Sequence, residues 1–419
     1  RLRRLKNENP SSIYAYISPK MTNESVYRFM QLFREVIGTP NAYLLGSYEY
    51  ESYSKSLGKP NTEFAALNLE TDMSALDESD CIVILGADPG KTHKVLAAKV
   101  RSRVRAQKAK LIIVNEDKSQ LDLMADIAVQ LYGGTDGVLL NTLIGLELTS
   151  PAAKHQVELP YSLREEFSNY SPEKAEKATG ISWDKIVQIS RLISKAKNPV
   201  FVFGTGLSQQ DNPELFATLV NFIRQVGVIK DGKLPLMGLR TGANARGAFE
   251  IDLMMRRETG AVSSSTGPNF LDKLDPKEAK LVFLAMGDDE IELLENDLHK
   301  LSQIEFLVVQ SSHPNAALAH ADVSLPSPVW YEKQGSMNNA LGKSQGIIPV
   351  LPATGEMYQE WQVFGGLARR LSANVPEGLA AITQEISELQ ANYRSKVTSV
   401  SVDSLPFRCV AFPLNEGGK

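Results

Sequence analysis

Cysteine is nearly absent from this 419-residue chain, which has two, Cys81 and Cys409. An iron–sulfur cluster normally takes four thiolates, so the chain cannot hold one alone. So low a thiol count fits a reducing, cytoplasmic setting. Long apolar runs are missing as well: none approaches the ~20 residues that cross a bilayer, and no transmembrane span is expected. Basic excess is lacking too, since the net charge is −4 and the pI about 5.9, which argues against a general nucleic-acid binder. No signal peptide is visible. The first residue is Arg1 rather than methionine, and the sequence reads as an internal stretch of a longer polypeptide.

What is present is ample apolar material, 43% of residues, enough for two or three domains at about 150 residues each. The segment from Asp80 to Leu146 carries the clearest pattern. Short apolar runs at Cys81–Leu85, Leu111–Val114 and Ile127–Leu131 alternate with helically spaced apolar residues such as Leu96, Val100 and Val104. Strands alternating with helices predict a doubly wound, mostly parallel α/β sheet. Ligands of such sheets bind beyond the carboxyl ends of the strands, which points to the loops Gly86–Thr92 and Asn115–Gln120. Cys81, opening a buried run, reads as a small buried thiol. His313 and His320 lack the third partner a metal site would need.

Several motifs follow in order. Thr22-Asn23-Glu24-Ser25-Val26-Tyr27 opens a helix expected to run to Ile37, with Gly38 at its end. Gly86-Ala87-Asp88-Pro89 and Thr92-His93 follow the first strand of the central run, and Gly134-Thr135-Asp136-Gly137 precedes a later helix. Gly204-Thr205-Gly206-Leu207-Ser208-Gln209-Gln210 follows a strand at Pro199–Phe203, where glycine lets a ligand approach the backbone. Leu239-Arg240-Thr241-Gly242-Ala243-Asn244 and Glu332-Lys333-Gln334-Gly335-Ser336-Met337-Asn338-Asn339 come later. Together these motifs resemble the molybdopterin oxidoreductase family, over roughly residues 12 to 372. The resemblance implies two Rossmann-like domains, residues 1–62 with 243–375 and residues 63–242; a helical pattern then predicts a helical tail at 376–419, and the C-terminal β-barrel of catalytic members is not expected here. It also implies a pterin-type cleft formed by Gly86, Asp88, Pro89, His93, Asn115, Gly204, Gly206, Arg240 and Asn339, with Arg240 at the position of a substrate-contacting arginine; without a metal ligand, Arg240 is expected to serve charge pairing instead.

Three departures shape the functional expectation. Where catalytic members carry a cysteine, selenocysteine or serine ligand to molybdenum or tungsten, this chain offers only Ser47. A soft metal there needs a thiolate or similar donor. The loop that reads Asp-Pro-Arg in dinucleotide-binding members is Asn115-Glu116-Asp117 here, and two acids repel a phosphorylated ligand. The closing barrel of catalytic members is missing. The expectation is therefore a non-catalytic subunit, with no cofactor of its own and no metal. Its model is the large peripheral subunit of NADH-quinone oxidoreductase, respiratory complex I, cytoplasmic and peripheral to the membrane through its complex. Iron–sulfur clusters would sit in partner subunits of that complex or of a related hydrogenase-type redox complex, or in a missing N-terminal region. One alternative is a catalytic formate-dehydrogenase-like enzyme binding molybdopterin guanine dinucleotide through Ser47 or no protein ligand. Another is a nucleotide-binding module using Gly86–Thr92, although its glycine stands one residue late for a P-loop. The eight basic residues between Lys91 and Lys110, with no acid among them, are either a solvated helix face or a docking surface for an acidic partner.

Overall fold

Runs such as Ile13-Tyr14-Ala15-Tyr16-Ile17 and Leu281-Val282-Phe283-Leu284-Ala285-Met286 are apolar throughout, as strands covered on both faces must be. The computed structural model describes residues 1–51, 67–150, 171–208, 213–227, 229–260, 271–288, 293–355 and 357–396. Cys409, Gln209, Gln210 and the expected tail beyond residue 396 lie outside them. The chain divides into two units, the first built from Arg1–Tyr50 and Thr241–Val397, the second on Glu51–Arg240.

In the first unit the strands are β1 (Ile13–Ile17), β2 (Ala42–Leu44), β8 (Leu281–Gly287), β9 (Leu307–Ser311) and β10 (Val323–Pro326). They form one sheet in the order β10-β9-β8-β1-β2, parallel throughout, with Tyr16 opposite both Tyr43 and Leu284. One face packs Tyr16, Leu284 and Val309 into a core. The other packs Phe283 against Phe33 at 5.4 Å and against Phe364 at 6.0 Å between ring centroids. Helix α1 spans Leu2–Glu8. Helix α2, Asn23–Met30, starts at Thr22, whose hydroxyl accepts from Ser25 N at 3.3 Å. It continues as a π-helical stretch over Gln31–Ile37 and stops at Gly38, where φ is 80°. That left-handed end suits glycine. A small antiparallel hairpin, β11 (Gly335–Asn338) with β12 (Ser344–Ile347), follows the sheet. Its polar residues gave no strand signal in the sequence.

The second unit repeats the plan with β3 (Cys81–Leu85), β4 (Lys110–Asn115), β5 (Ile127–Gln130), β6 (Pro199–Phe203) and β7 (Leu236–Gly238), ordered β5-β4-β3-β6-β7 and all parallel. Helix α3 (Lys94–Arg105) buries Leu96 and Val100 against Ile82, Ile84 and Ile113. From β3 the chain winds outward through β4 and β5, then returns to place β6 on the other side of β3. The carboxyl ends of β3 and β6 therefore flank the crevice where such sheets take ligands. The α/β class and the parallel, doubly wound sheets are as the sequence predicts, and the described residues contain no β-barrel. No described helix is long and apolar enough to cross a membrane.

Candidate functional site at a sheet edge

Asn115, the last residue of β4, controls the loop that leaves β3. Its Oδ1 accepts from Ala87 N at 2.8 Å, and its Nδ2 donates to Ala87 O at 3.0 Å. One side-chain amide thus satisfies both backbone groups of a buried loop residue, as a neighbouring strand would. Three glycines make the rest of this corner possible. Gly86 has φ 57°, and Gly206 N donates to Gly86 O at 2.9 Å. A Cβ on Gly206 would stand 2.9 Å from Gly86 Cα, and one on Gly204 would stand 2.6 Å from Ala87 Cβ. Side chains at either position would force the β3 and β6 loops apart.

Asp88 fastens the β3 loop to the β4 loop. Its carboxylate accepts from Gly90 N at 3.1 Å, Ser119 Oγ at 3.2 Å and Gln120 N at 3.3 Å. Pro89 then opens a short helical turn, Pro89–Thr92, at the position where proline is best tolerated. The Gly90 amide is consumed within the loop, and the Lys91 ammonium stands 3.9 Å from Asp88. This arrangement differs from the phosphate cradle of a P-loop, whose amides turn outward.

Arg240 follows β7 and is held by a residue the sequence reading missed. Its Nη1 and Nη2 donate to the two oxygens of Glu70 at 2.7 and 2.5 Å, and both side chains are buried. Its guanidinium lies 4.9 Å from the Phe203 ring centroid, and Glu70 also accepts from Gly238 N at 3.0 Å. Glu70 stands in the polar stretch Asn68-Leu69-Glu70, where nothing local marks it as a buried partner. His93 is half-buried beside Arg240. Burial pushes its imidazole pKa down; a hydrogen bond to the Arg240 backbone works the other way, and the Arg240 charge adds to the lowering. In the β4 loop, Glu116 Oε1 accepts from Gly134 N at 3.3 Å, so this acid ties down the glycine turn after β5.

Eight of the nine expected site residues thus gather at the carboxyl edge of the second unit's sheet: Gly86, Asp88, Pro89, His93, Asn115, Gly204, Gly206 and Arg240. Asn339 belongs to the first unit, where its Oδ1 accepts from Leu341 N at 3.0 Å and Lys343 N at 3.1 Å and shapes the β11–β12 turn. The neighbouring motif residues form a buried network instead. Asn244 Nδ2 donates to Asn23 Oδ1 at 3.0 Å, Asn338 N donates to Asn244 Oδ1 at 2.7 Å, and Asn23 Nδ2 donates to Asn338 Oδ1 at 3.0 Å. Three motifs far apart in sequence are closed into one ring by their asparagines. Lys333 is fully buried between Asp288 at 2.7 Å and Glu360 at 3.1 Å. Burial opposes its charge, yet the attraction of Glu360 and Asp288 holds its pKa above that of an ordinary lysine.

Ser47 is buried in the turn after β2, and Cys81 opens β3 at the end of the sheet opposite the loops. Of the basic run, Lys99 pairs with Asp77 at 2.8 Å, Lys110 with Asp126 at 2.7 Å, and Arg103 Nε donates to Ser79 O at 2.9 Å. Part of that positive face is therefore used within the unit.

A family model for molybdopterin oxidoreductases matches residues 1–370. Among curated proteins, the chain is 23% identical over 446 residues to the alpha subunit of F420-dependent formate dehydrogenase 1 of Methanococcus maripaludis, covering 97% of this chain and 64% of that protein. It is 24% identical over 410 residues to the putative formate dehydrogenase YrhE of Bacillus subtilis, covering 89% of this chain and 41% of that one. Among solved structures, acetylene hydratase from Pelobacter acetylenicus shares the fold, with a TM-score of 0.54 at 12% identity over 89% of this chain and 58% of that one. The chain thus spans between 41% and 64% of the length of these curated relatives.

These similarities correct two expectations. A non-catalytic subunit of respiratory complex I is overturned, because the curated relatives include formate dehydrogenase alpha subunits and a putative formate dehydrogenase, which favours the catalytic alternative. The expectation of no cofactor in this chain falls with it, since the matched family is defined by molybdopterin.

Proposed function

The chain belongs to the molybdopterin oxidoreductase family, and from that premise we propose that it is the cofactor-binding α/β part of a formate-dehydrogenase-like oxidoreductase. Its cofactor on this reading is a molybdopterin in dinucleotide form. The observation that carries the reading is the gathering of eight motif residues at one sheet edge, organised by the grip of Asn115 on Ala87.

The edge fits such a group chemically. It offers a side chain that is 66% exposed and cationic, Lys91, beside loops whose close approach is fixed by Gly86, Gly204 and Gly206. A dinucleotide needs both a positive charge for its phosphates and backbone that can be approached closely. Glu116 and Asp117 at the end of β4 are suited to accept from ribose hydroxyls or ring N–H groups. Among the described residues the one cysteine, Cys81, stands at the far end of β3, so sulfur donors to a metal would come from the pterin. When bound, the group supplies two-electron transfer at its metal. The chain's own residues bind and orient it: Asn115 sets the β3 loop, Asp88 joins that loop to β4, and the Glu70–Arg240 pair places the His93 imidazole at the same edge. Half-burial pushes the pKa of that imidazole down and so favours its neutral form, in which one ring nitrogen donates a hydrogen bond and the other accepts.

The alpha subunits among its relatives support a partner-bound chain, delivering electrons to cluster-bearing subunits. The test is metal and pterin content of the protein isolated with its native partners, together with formate-dependent reduction of an artificial electron acceptor. Molybdenum or tungsten and releasable pterin in proportion to the chain, with formate-driven reduction, are the expected results. Iron without either metal or pterin would overturn the reading.

A further inference from the structure

Gln310, the fourth residue of β9, is fully buried, yet its Nε2 and Oε1 meet no hydrogen-bond partner among the described residues. Strand alternation turns it away from the core that holds Val309 and Leu284, onto the sheet face shared by Phe283. That face is covered by α4 (Glu360–Arg370), through Phe364 on Phe283. The first turn of α4 sits over the carboxyl ends of the strands. Glu360 Oε1 accepts from Ser327 Oγ at 2.6 Å, and Ser327 N donates at 3.2 Å to the carbonyl of Ser311, the residue after Gln310. Trp361 is next in that helix. It is 9% exposed, and its indole Nε1 also meets no partner among the described residues. Lys333, with Asp288 and Glu360, completes the corner.

Buried amide and indole groups are rarely left unmatched in native proteins, and internal water is the usual partner. The charges here decide what kind of molecule fits. One ammonium and two carboxylates leave the corner one unit negative, which opposes an anion. A cation would stand against the Lys333 ammonium, which already takes up both carboxylates, and against the N–H groups of Gln310 and Trp361. A neutral molecule that both donates and accepts can take the Trp361 and Gln310 N–H groups and give a hydrogen to Gln310 Oε1. We propose that this corner is a binding site for internal water, linking Gln310 and Trp361 to the buried Lys333–Asp288–Glu360 ions. Such water would hydrate a lysine that has no exposed surface of its own.

The chain has three tryptophans, Trp183, Trp330 and Trp361, so ¹⁵N-indole labelling gives three resonances, and Trp361→Phe assigns the one that matters. The full-length protein is expected to show NOE and ROE cross-peaks of opposite sign between bulk-frequency water and the Trp361 indole hydrogen, the mark of a long-lived bound water. They should persist in Ser327→Ala, which removes a hydroxyl able to relay exchange. Gln310→Leu is expected to lower the melting temperature, because the water loses a partner. A Trp361 indole without water cross-peaks overturns the proposal, and so does a Gln310→Leu protein that melts higher than the parent, as relief of a dry unmatched amide would produce.

Discussion

The Arg240 guanidinium is clasped by the Glu70 carboxylate through two hydrogen bonds, at 2.7 and 2.5 Å, with both side chains buried. Removing one partner of such a pair leaves a buried charge without compensation, which typically costs ~3–5 kcal/mol. Glu70→Ala is therefore expected to lower unfolding stability by about that amount. Glu70→Ala combined with Arg240→Met should recover a large part of it. Urea denaturation of the single and double variants checks both outcomes, and recovery in the double variant separates loss of charge pairing from a general packing defect.

Asn115 is the second position where one side chain fixes the site. Asn115→Ala removes both bonds to Ala87 and leaves a buried N–H unmatched, for a loss of about 2 kcal/mol. Asn115→Asp keeps an acceptor for Ala87 N but turns a carboxylate toward Ala87 O. It is expected to be no better than alanine for cofactor content. Denaturation gives the first result, and pterin released per chain gives the second.

The sheets were legible because their strands are uninterrupted apolar runs: Cys81–Leu85 and Leu281–Met286 announce themselves, and Gly38 marks a helix end by its chemistry. Side-chain partnerships across long sequence gaps were not. Glu70 stands 170 positions from Arg240, and the Asn23–Asn244–Asn338 ring joins segments up to 315 positions apart, with no local periodicity to signal either. The functional reading failed for a related reason. From sequence, Glu116 reads as an acid that repels phosphate, but its carboxylate accepts from the Gly134 amide and ties down a turn. A missing thiolate and a missing barrel weigh little in a chain that spans between 41% and 64% of its curated relatives.

Two glycines separate steric need from conformational need. Gly206→Ala drives a methyl group to 2.9 Å from the Gly86 backbone, which has no flexible side chain to yield. Gly134 has φ 76° and open space around its would-be Cβ, so Gly134→Ala meets only the strain of a left-handed residue, about 1 kcal/mol. Gly206→Ala is expected to destabilise the protein more than Gly134→Ala, and to lower cofactor content as the β3 and β6 loops separate. Thermal denaturation of the two variants side by side checks the order; an equal loss in both would show that the close approach of Gly206 to Gly86 carries no weight.

His93 gives the site a pH dependence whose sign follows from its burial. Its folded pKa is depressed below the ordinary value of 6.5, so the unfolded chain binds the proton more readily than the folded one. As pH falls through the unfolded value, unfolding takes up a proton that the native imidazole resists, and stability declines. The contribution is complete at higher pH and is lost progressively on acidification below about 6.5, down to the folded pKa. His93→Gln cannot titrate. It is expected to lose less stability than the parent between about pH 7.5 and pH 5.5. NMR titration of the imidazole in the parent protein provides the independent check: a midpoint at or above 6.5 would contradict the burial of His93 beside Arg240.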